Sequence, residues 1–147
     1  MIQLKVKKVS VAAKIPEAAT AGAACFDLSA DFSRDEAFEK TSVENMVIPT
    51  GLAFEVPPGY AMMVYSRSGQ GFNNNTRLAN CVGIIDSDYR GEVMVKLTRD
   101  DGEPITVKHG ERVAQAMIIP VPVVEILEVD ALSSTARGEG GFGSTGK

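Results

Sequence analysis

The chain has 147 residues, enough to bury one core and short of what two independent cores usually need. A hydrophobic fraction of 44% excludes the disordered class, and 14 glycines with 7 prolines imply frequent turns and a lean towards β structure. A net charge of −4 supplies no basic field for a nucleic-acid duplex, so phosphate chemistry must rest on a few local arginines and a free nucleotide fits better than a polymer.

From the N-terminus, Gln3 to Val9 alternates polar and apolar residues in the period-two pattern of a strand. Neither an apolar leader region nor a run of about 18 apolar residues occurs, so the chain reads as soluble, unexported and cytoplasmic, with no membrane partner. Cys25 and Cys81 have no CxxC spacing and His109 is the one histidine. That predicts buried or half-buried free thiols, not a disulfide or a zinc site. Residues 31–44, rich in charge, read as a solvated short helix or irregular loop unrelated to the chemistry. Leu52 to Val56 alternates again and is closed by Pro57-Pro58-Gly59. Ser68 to Asn75 predicts a turn or brief helix beside a strand end, where sites tend to sit. Ile85 to Gly91 reads as a hairpin turn between Val82-Gly83-Ile84 and Val93-Met94-Val95, with Gly91 relieving backbone strain. Val93 to Leu97 and Val123 to Val129 alternate as further strands, and His109 falls in an expected exposed turn. Five of the last ten residues are glycine, which predicts a mobile arm. The fold class expected is all-β, a sandwich or jelly-roll-like barrel of short antiparallel strands over residues 1–132, followed by an arm of residues 133–147.

Arg67-Ser68-Gly69 sets a permanent cation, a hydroxyl and an unhindered amide side by side, a combination suited to gripping phosphate oxygens. Arg137 with Gly138, Gly140 and Gly141 can wrap a flexible backbone over a polyphosphate, with Ser144 and Thr145 as further donors. Composition alone describes an ordinary disordered tail there; Phe142 argues for more, since its ring can stack on a base. Asp86 can take a proton from a water held in a dry pocket. No cluster of Asp, Glu and His has metal-ligand spacing.

Five segments in order, Thr20 to Ala30, Tyr65 to Gly69, Gly83 to Gly91, Gly110 to Gln115 and Arg137 to Gly146, resemble the motifs of the trimeric dUTPase family. The resemblance implies a distorted jelly roll assembled as a homotrimer with shared sites, hydrolysing dUTP to dUMP and pyrophosphate. Such an activity limits uracil in DNA and supplies dUMP for dTMP synthesis. By resemblance, Asp86 orients and deprotonates the water that attacks the α-phosphorus, Asp88 is a turn carboxylate, and Asp27 supports the catalytic geometry. Asn80 and the backbone around Gly83, Ile84 and Ile85 fall on the uracil edge, Met94 in the base pocket, and Tyr89 flat on the deoxyribose, where a 2′-hydroxyl would collide. Arg67, Ser68, Gly69 and Gln115 fall to the phosphates, and Arg137, Phe142, Gly143 and Ser144 to an arm that closes as a lid. Local readings stand beside these: Asp27 as a turn cap, Met94 as core, Tyr89 as hairpin packing, Arg112 as a structural ion pair. The triphosphate implies Mg²⁺ as cofactor, carried by phosphates and water without direct protein ligands.

Ser66 departs from the family's usual proline, and Gln70-Gly71-Phe72 replaces a small apolar continuation. Ser66-Arg67-Ser68 is reminiscent of dCTP deaminases, relatives whose reaction needs an extra pocket glutamate; Glu92 and Glu103 fall in no recognisable deaminase motif. A nucleotide-binding regulatory module is the alternative from another class, while a viral-coat-like jelly roll explains the strands but not residues 137–146.

Overall fold

Apolar runs punctuated by Gly, Pro and Asn form ten strands and one short helix within residues 2–141, the part of the chain that the computed structural model describes. They are β1 (Lys5–Lys8), β2 (Phe26–Ser29), β3 (Glu39–Ser42), β4 (Met46–Glu55), β5 (Tyr60–Tyr65), α1 (Ser68–Asn74), β6 (Thr76–Leu78), β7 (Val82–Ile85), β8 (Glu92–Arg99), β9 (Ile105–Lys108) and β10 (Arg112–Pro120). One sheet has the order β1-β4-β8-β6 and the other β2-β10-β5-β7, with β3-β9 as a two-stranded ribbon. Every pairing is antiparallel, giving the all-β, jelly-roll class expected. Alternation decides which side chains meet between the sheets: on β8, Val93, Val95 and Leu97 point inward while Met94 and Lys96 point out. With Leu28, Phe32, Ile48, Leu52, Phe54, Met62 and Val113 they form one buried cluster. Each such side chain contributes about 1.5–3 kcal/mol by leaving water. Among the described residues no helix is long and apolar enough to cross a membrane.

Several expectations are corrected. Residues 85–91 do not make a hairpin, because β7 pairs with β5 in one sheet and β8 with β4 and β6 in the other. The turn between them crosses from sheet to sheet. Residues 31–44 are neither helical nor wholly solvated: Asp31 and Phe32 are buried, and Glu39–Ser42 pairs with β9. Arg34 also reaches Glu92 at 2.5 Å, tying the segment to the edge of the site. His109 is half-buried, its Nδ1 accepting the Phe32 N–H at 3.1 Å. Cys25 is half-buried as expected, whereas Cys81 is exposed at the tip of a tight turn with φ +63°. The alternation of residues 123–129 builds no strand here. Val123 is 100% and Ile126 91% exposed, so the pattern prescribes an apolar face that nothing among the described residues covers.

Candidate active site

Two sheet crossings frame the site. In the first, between β6 and β7, Cys81 N–H donates to the Leu78 carbonyl at 3.1 Å and Val82 N–H to that of Asn80 at 2.7 Å. In the second, Tyr89 N–H donates to the Asp86 carbonyl at 3.2 Å, and Arg90 Nη1 ties down the Ser87 carbonyl at 2.7 Å. Because β7 and β8 join different sheets, no ladder fills the space between them. A cleft of ≈ 490 Å³ opens there, lined by Asn80, Gly83, Ile84, Ile85, Met94 and Lys96 among others. Beside it is a hollow of ≈ 220 Å³ at Asp86 and Tyr89, the two sharing Ile84, Ile85, Val93 and Met94 as walls. Gly83 leaves room here: a Cβ there would stand 3.2 Å from that of Val64, which would have to shift by a few tenths of an ångström.

The side chains of this cleft are held open. Ile84 is 64% and Met94 58% exposed, so Met94 is a wall and not core. Tyr89, 43% exposed, lies outside the core as well, its hydroxyl donating to the Glu92 carbonyl at 3.1 Å. An apolar slot with one amide side chain and several backbone groups at its rim suits a flat ring with a mixed donor–acceptor edge.

A second group of predicted residues gathers at the other end of the β2-β10-β5-β7 sheet. Asp27 accepts from Arg67 Nε at 2.9 Å on one oxygen and from Arg112 Nη1 at 3.0 Å on the other. Both arginines are thereby aimed by one carboxylate. Gln115 donates to the Ser66 carbonyl at 2.9 Å, and Gln70 to that of Arg112 at 3.3 Å. Ser66 explains its own departure from proline, since its Oγ accepts the Leu78 N–H at 2.9 Å. Ser68 and Gly69 open α1 and are exposed. An open groove of ≈ 880 Å³ runs past Asp27 and Arg112, with Lys8 and Lys14 on its walls.

Strand register separates the two groups. Asp27, Gln115, Tyr65 and Val82 form one row across the sheet. Arg67 lies two residues beyond that row and Asp86 four residues beyond it in the opposite direction, roughly 20 Å apart at about 3.3 Å per residue. One chain therefore assembles an apolar cleft beside Asp86 and, apart from it, an arginine cluster around Asp27. Arg137 is exposed, donating from Nε to the Gly140 carbonyl at 2.7 Å, and Phe142, Gly143 and Ser144 lie outside the described residues.

The dUTPase family model matches residues 12–146. This chain belongs to the dUTPase family. It is 47% identical over 146 residues to the deoxyuridine 5'-triphosphate nucleotidohydrolase of Nautilia profundicola, covering 99% of this chain and 100% of the relative. With the protein of the same name from Desulfitobacterium hafniense strain DCB-2 it shares 44% identity over 99% of each chain. The structure of Staphylococcus bacteriophage 80alpha dUTPase with dUPNHPP matches with a TM-score of 0.84 and 27% identity, over 99% of both chains. The chain is accordingly a hydrolase acting on dUTP.

Within this dUTPase fold, sequence reading passed over Lys96 and Val64 as walls of the cleft. The signal for Lys96 was present: it stands two residues after Met94 on the same strand and so shares its face. Val64 gave no such signal, because Tyr60 to Tyr65 is nearly all apolar.

Proposed function

We propose that the chain converts dUTP to dUMP and pyrophosphate by attack of water on the α-phosphorus, with Asp86 orienting the water and taking its proton. The observation that supports this reading is a pair of adjoining cavities with Ile84, Ile85, Val93 and Met94 as common walls, one lined by Asn80 and Gly83 and the other by Asp86 and Tyr89. Uracil would enter the slot with its edge on Asn80 and the backbone of residues 83–85, and its deoxyribose against Tyr89. Asp86, at the mouth, then faces the α-phosphate end of the nucleotide. Arg67, Ser68, Gly69 and Gln115 hold the phosphates, with Asp27 as the carboxylate that positions Arg67. Arg137, Phe142, Gly143 and Ser144 belong to an arm, residues 133–147, that closes over the barrel of residues 1–132 and excludes water.

Two further features belong to the proposal. The roughly 20 Å between Arg67 and Asp86 calls for a second copy to supply one of them, which supports a homotrimer with shared sites. Magnesium is the cofactor. It would be brought in on the triphosphate's own oxygens and on water, without direct protein ligands. When bound, it neutralises charge on the triphosphate. In the cytoplasm the reaction would limit uracil in DNA and supply dUMP for dTMP synthesis.

Hydrolysis is favoured over deamination by the state of Glu92. One oxygen of its carboxylate takes both the Gly51 N–H at 2.7 Å and the Arg34 guanidinium, contacts that tie it to the fold. The test is pyrophosphate release from dUTP, UTP, dTTP and dCTP, with ammonia followed from dCTP. Native protein is expected to turn over dUTP selectively and release no ammonia. Asp86→Asn should lose at least about a thousandfold in kcat while still binding dUTP. An unchanged rate would remove Asp86 from the role of base.

A further inference from the structure

We infer that Gly91 is a specificity-setting position, acting through Tyr89. A Cβ built on Gly91 would meet the Tyr89 hydroxyl, lie 2.6 Å from its Cζ and stand 3.1 Å from its Cε2. The backbone of Gly91 does not lie in the left-handed region, so no conformational demand requires glycine there. Space for the ring does. The tyrosine folds back over its own turn and lies across the bare Cα of Gly91, with its hydroxyl on the Glu92 carbonyl at 3.1 Å.

Glu92 is itself an anchored support. Its carboxylate holds the Gly51 N–H on β4 and the Arg34 guanidinium, so the carbonyl receiving the tyrosine sits on a fixed strand end. The ring is thus set from below by a missing side chain and at its tip by a hydrogen bond, and Tyr89 lines the hollow beside Asp86. A methyl group at 91 would meet the far end of a flexible, 43% exposed side chain, which yields by swinging off Gly91 and the Glu92 carbonyl and not by unfolding the turn. The sugar would then lose its flat wall, and with it the discrimination against a 2′-hydroxyl.

The inference rests on the sugar-facing role proposed for Tyr89, and a double-mutant cycle separates the two. kcat and KM are measured with dUTP and UTP for native protein, Gly91→Ala, Tyr89→Ala and the double variant. In Gly91→Ala the ratio of kcat/KM for dUTP over UTP should fall about tenfold or more, mainly through a higher KM for dUTP. In the Tyr89→Ala background the same glycine change should alter that ratio less than about twofold, since no ring remains to be displaced. A native ratio in Tyr89→Ala overturns the reading of Tyr89. A lowered ratio in Tyr89→Ala with a native one in Gly91→Ala, or an equal loss in both backgrounds, overturns that of Gly91. Thermal melting guards the comparison: if Gly91→Ala melts early, recovery in the double variant supports the ring contact, and failure to recover counts against it.

Discussion

Asp31 has a side chain only 1% exposed, and one of its two oxygens has no hydrogen-bond partner among the described residues. Burial pushes its carboxyl up, but hydrogen bonds from Ser33 and Ser10 and the nearby His109 outweigh burial and hold it below the ordinary carboxylate value. Its other oxygen takes the Ser33 N–H at 3.0 Å and the Ser33 hydroxyl, which in turn meets that of Ser10 at 2.8 Å. A carboxyl more acidic in the folded than in the unfolded chain contributes stability above the unfolded value of 3.8, and the contribution is lost as pH falls through the folded one. Asp31→Asn keeps the size and removes the charge. It should cost about 1–3 kcal/mol at pH 7 and pH 5 alike, and the gap to native protein should close below about pH 4. Urea midpoints at pH 7, 5 and 3 check this; a gap that widens in acid would contradict it. Nothing in the charged run from Asp31 to Glu44 distinguishes this buried aspartate from its solvated neighbours, because composition reports average exposure and not a single inward side chain.

The strand that receives Asp31 bends at one glycine. β4 pairs through Met46–Pro49 with β8 and through Leu52–Glu55 with β1, and its register slips between Pro49 and Ala53. Gly51 sits in that slip with φ +68°, its carbonyl accepting from Val9 N–H at 2.7 Å. A Cβ there would strike the Asp31 carboxylate and lie 2.7 Å from the Ala13 Cβ. Gly51→Ala should therefore destabilise by about 2–5 kcal/mol, the sum of a left-handed backbone and an overfilled contact. The denaturant midpoint should fall with little change in slope; a loss below about 1 kcal/mol would mean that the bulge relaxes freely. Strands of this kind were legible where one face meets water: Gln3 to Val9 and Val93 to Leu97 alternate, and β1 and β8 lie within or around them. β5 and β10, central in their sheet and nearly all apolar, offered no period to read. The turn after Ile85 was visible but its partners were not, since flanking β residues fit a hairpin and a sheet crossing equally well.

At the scale of the whole molecule, five ordered motifs named the family, yet their order along the chain says nothing of which motifs meet in space. The strand register does, and it keeps Arg67 and Asp86 on opposite sides of the Tyr65–Val82 row. Residues 121–132 add an apolar face, with Val123, Ile126 and Leu132 exposed at 100%, 91% and 89%. Such a face is the kind that a second copy covers. Both observations bear on one experiment, the co-expression of Arg67→Ala chains with Asp86→Asn chains. Each alone should be inactive. If a site takes Arg67 from one chain and Asp86 from another, random assembly leaves about a quarter of the sites with both residues native. Mixed assemblies should then recover about a quarter of native pyrophosphate release, while separately purified variants combined without reassembly stay inactive. If both residues serve the same site from one chain, no mixed assembly has a complete site and no activity returns. Truncation before the apolar face should in turn lower the assembled mass seen by light scattering.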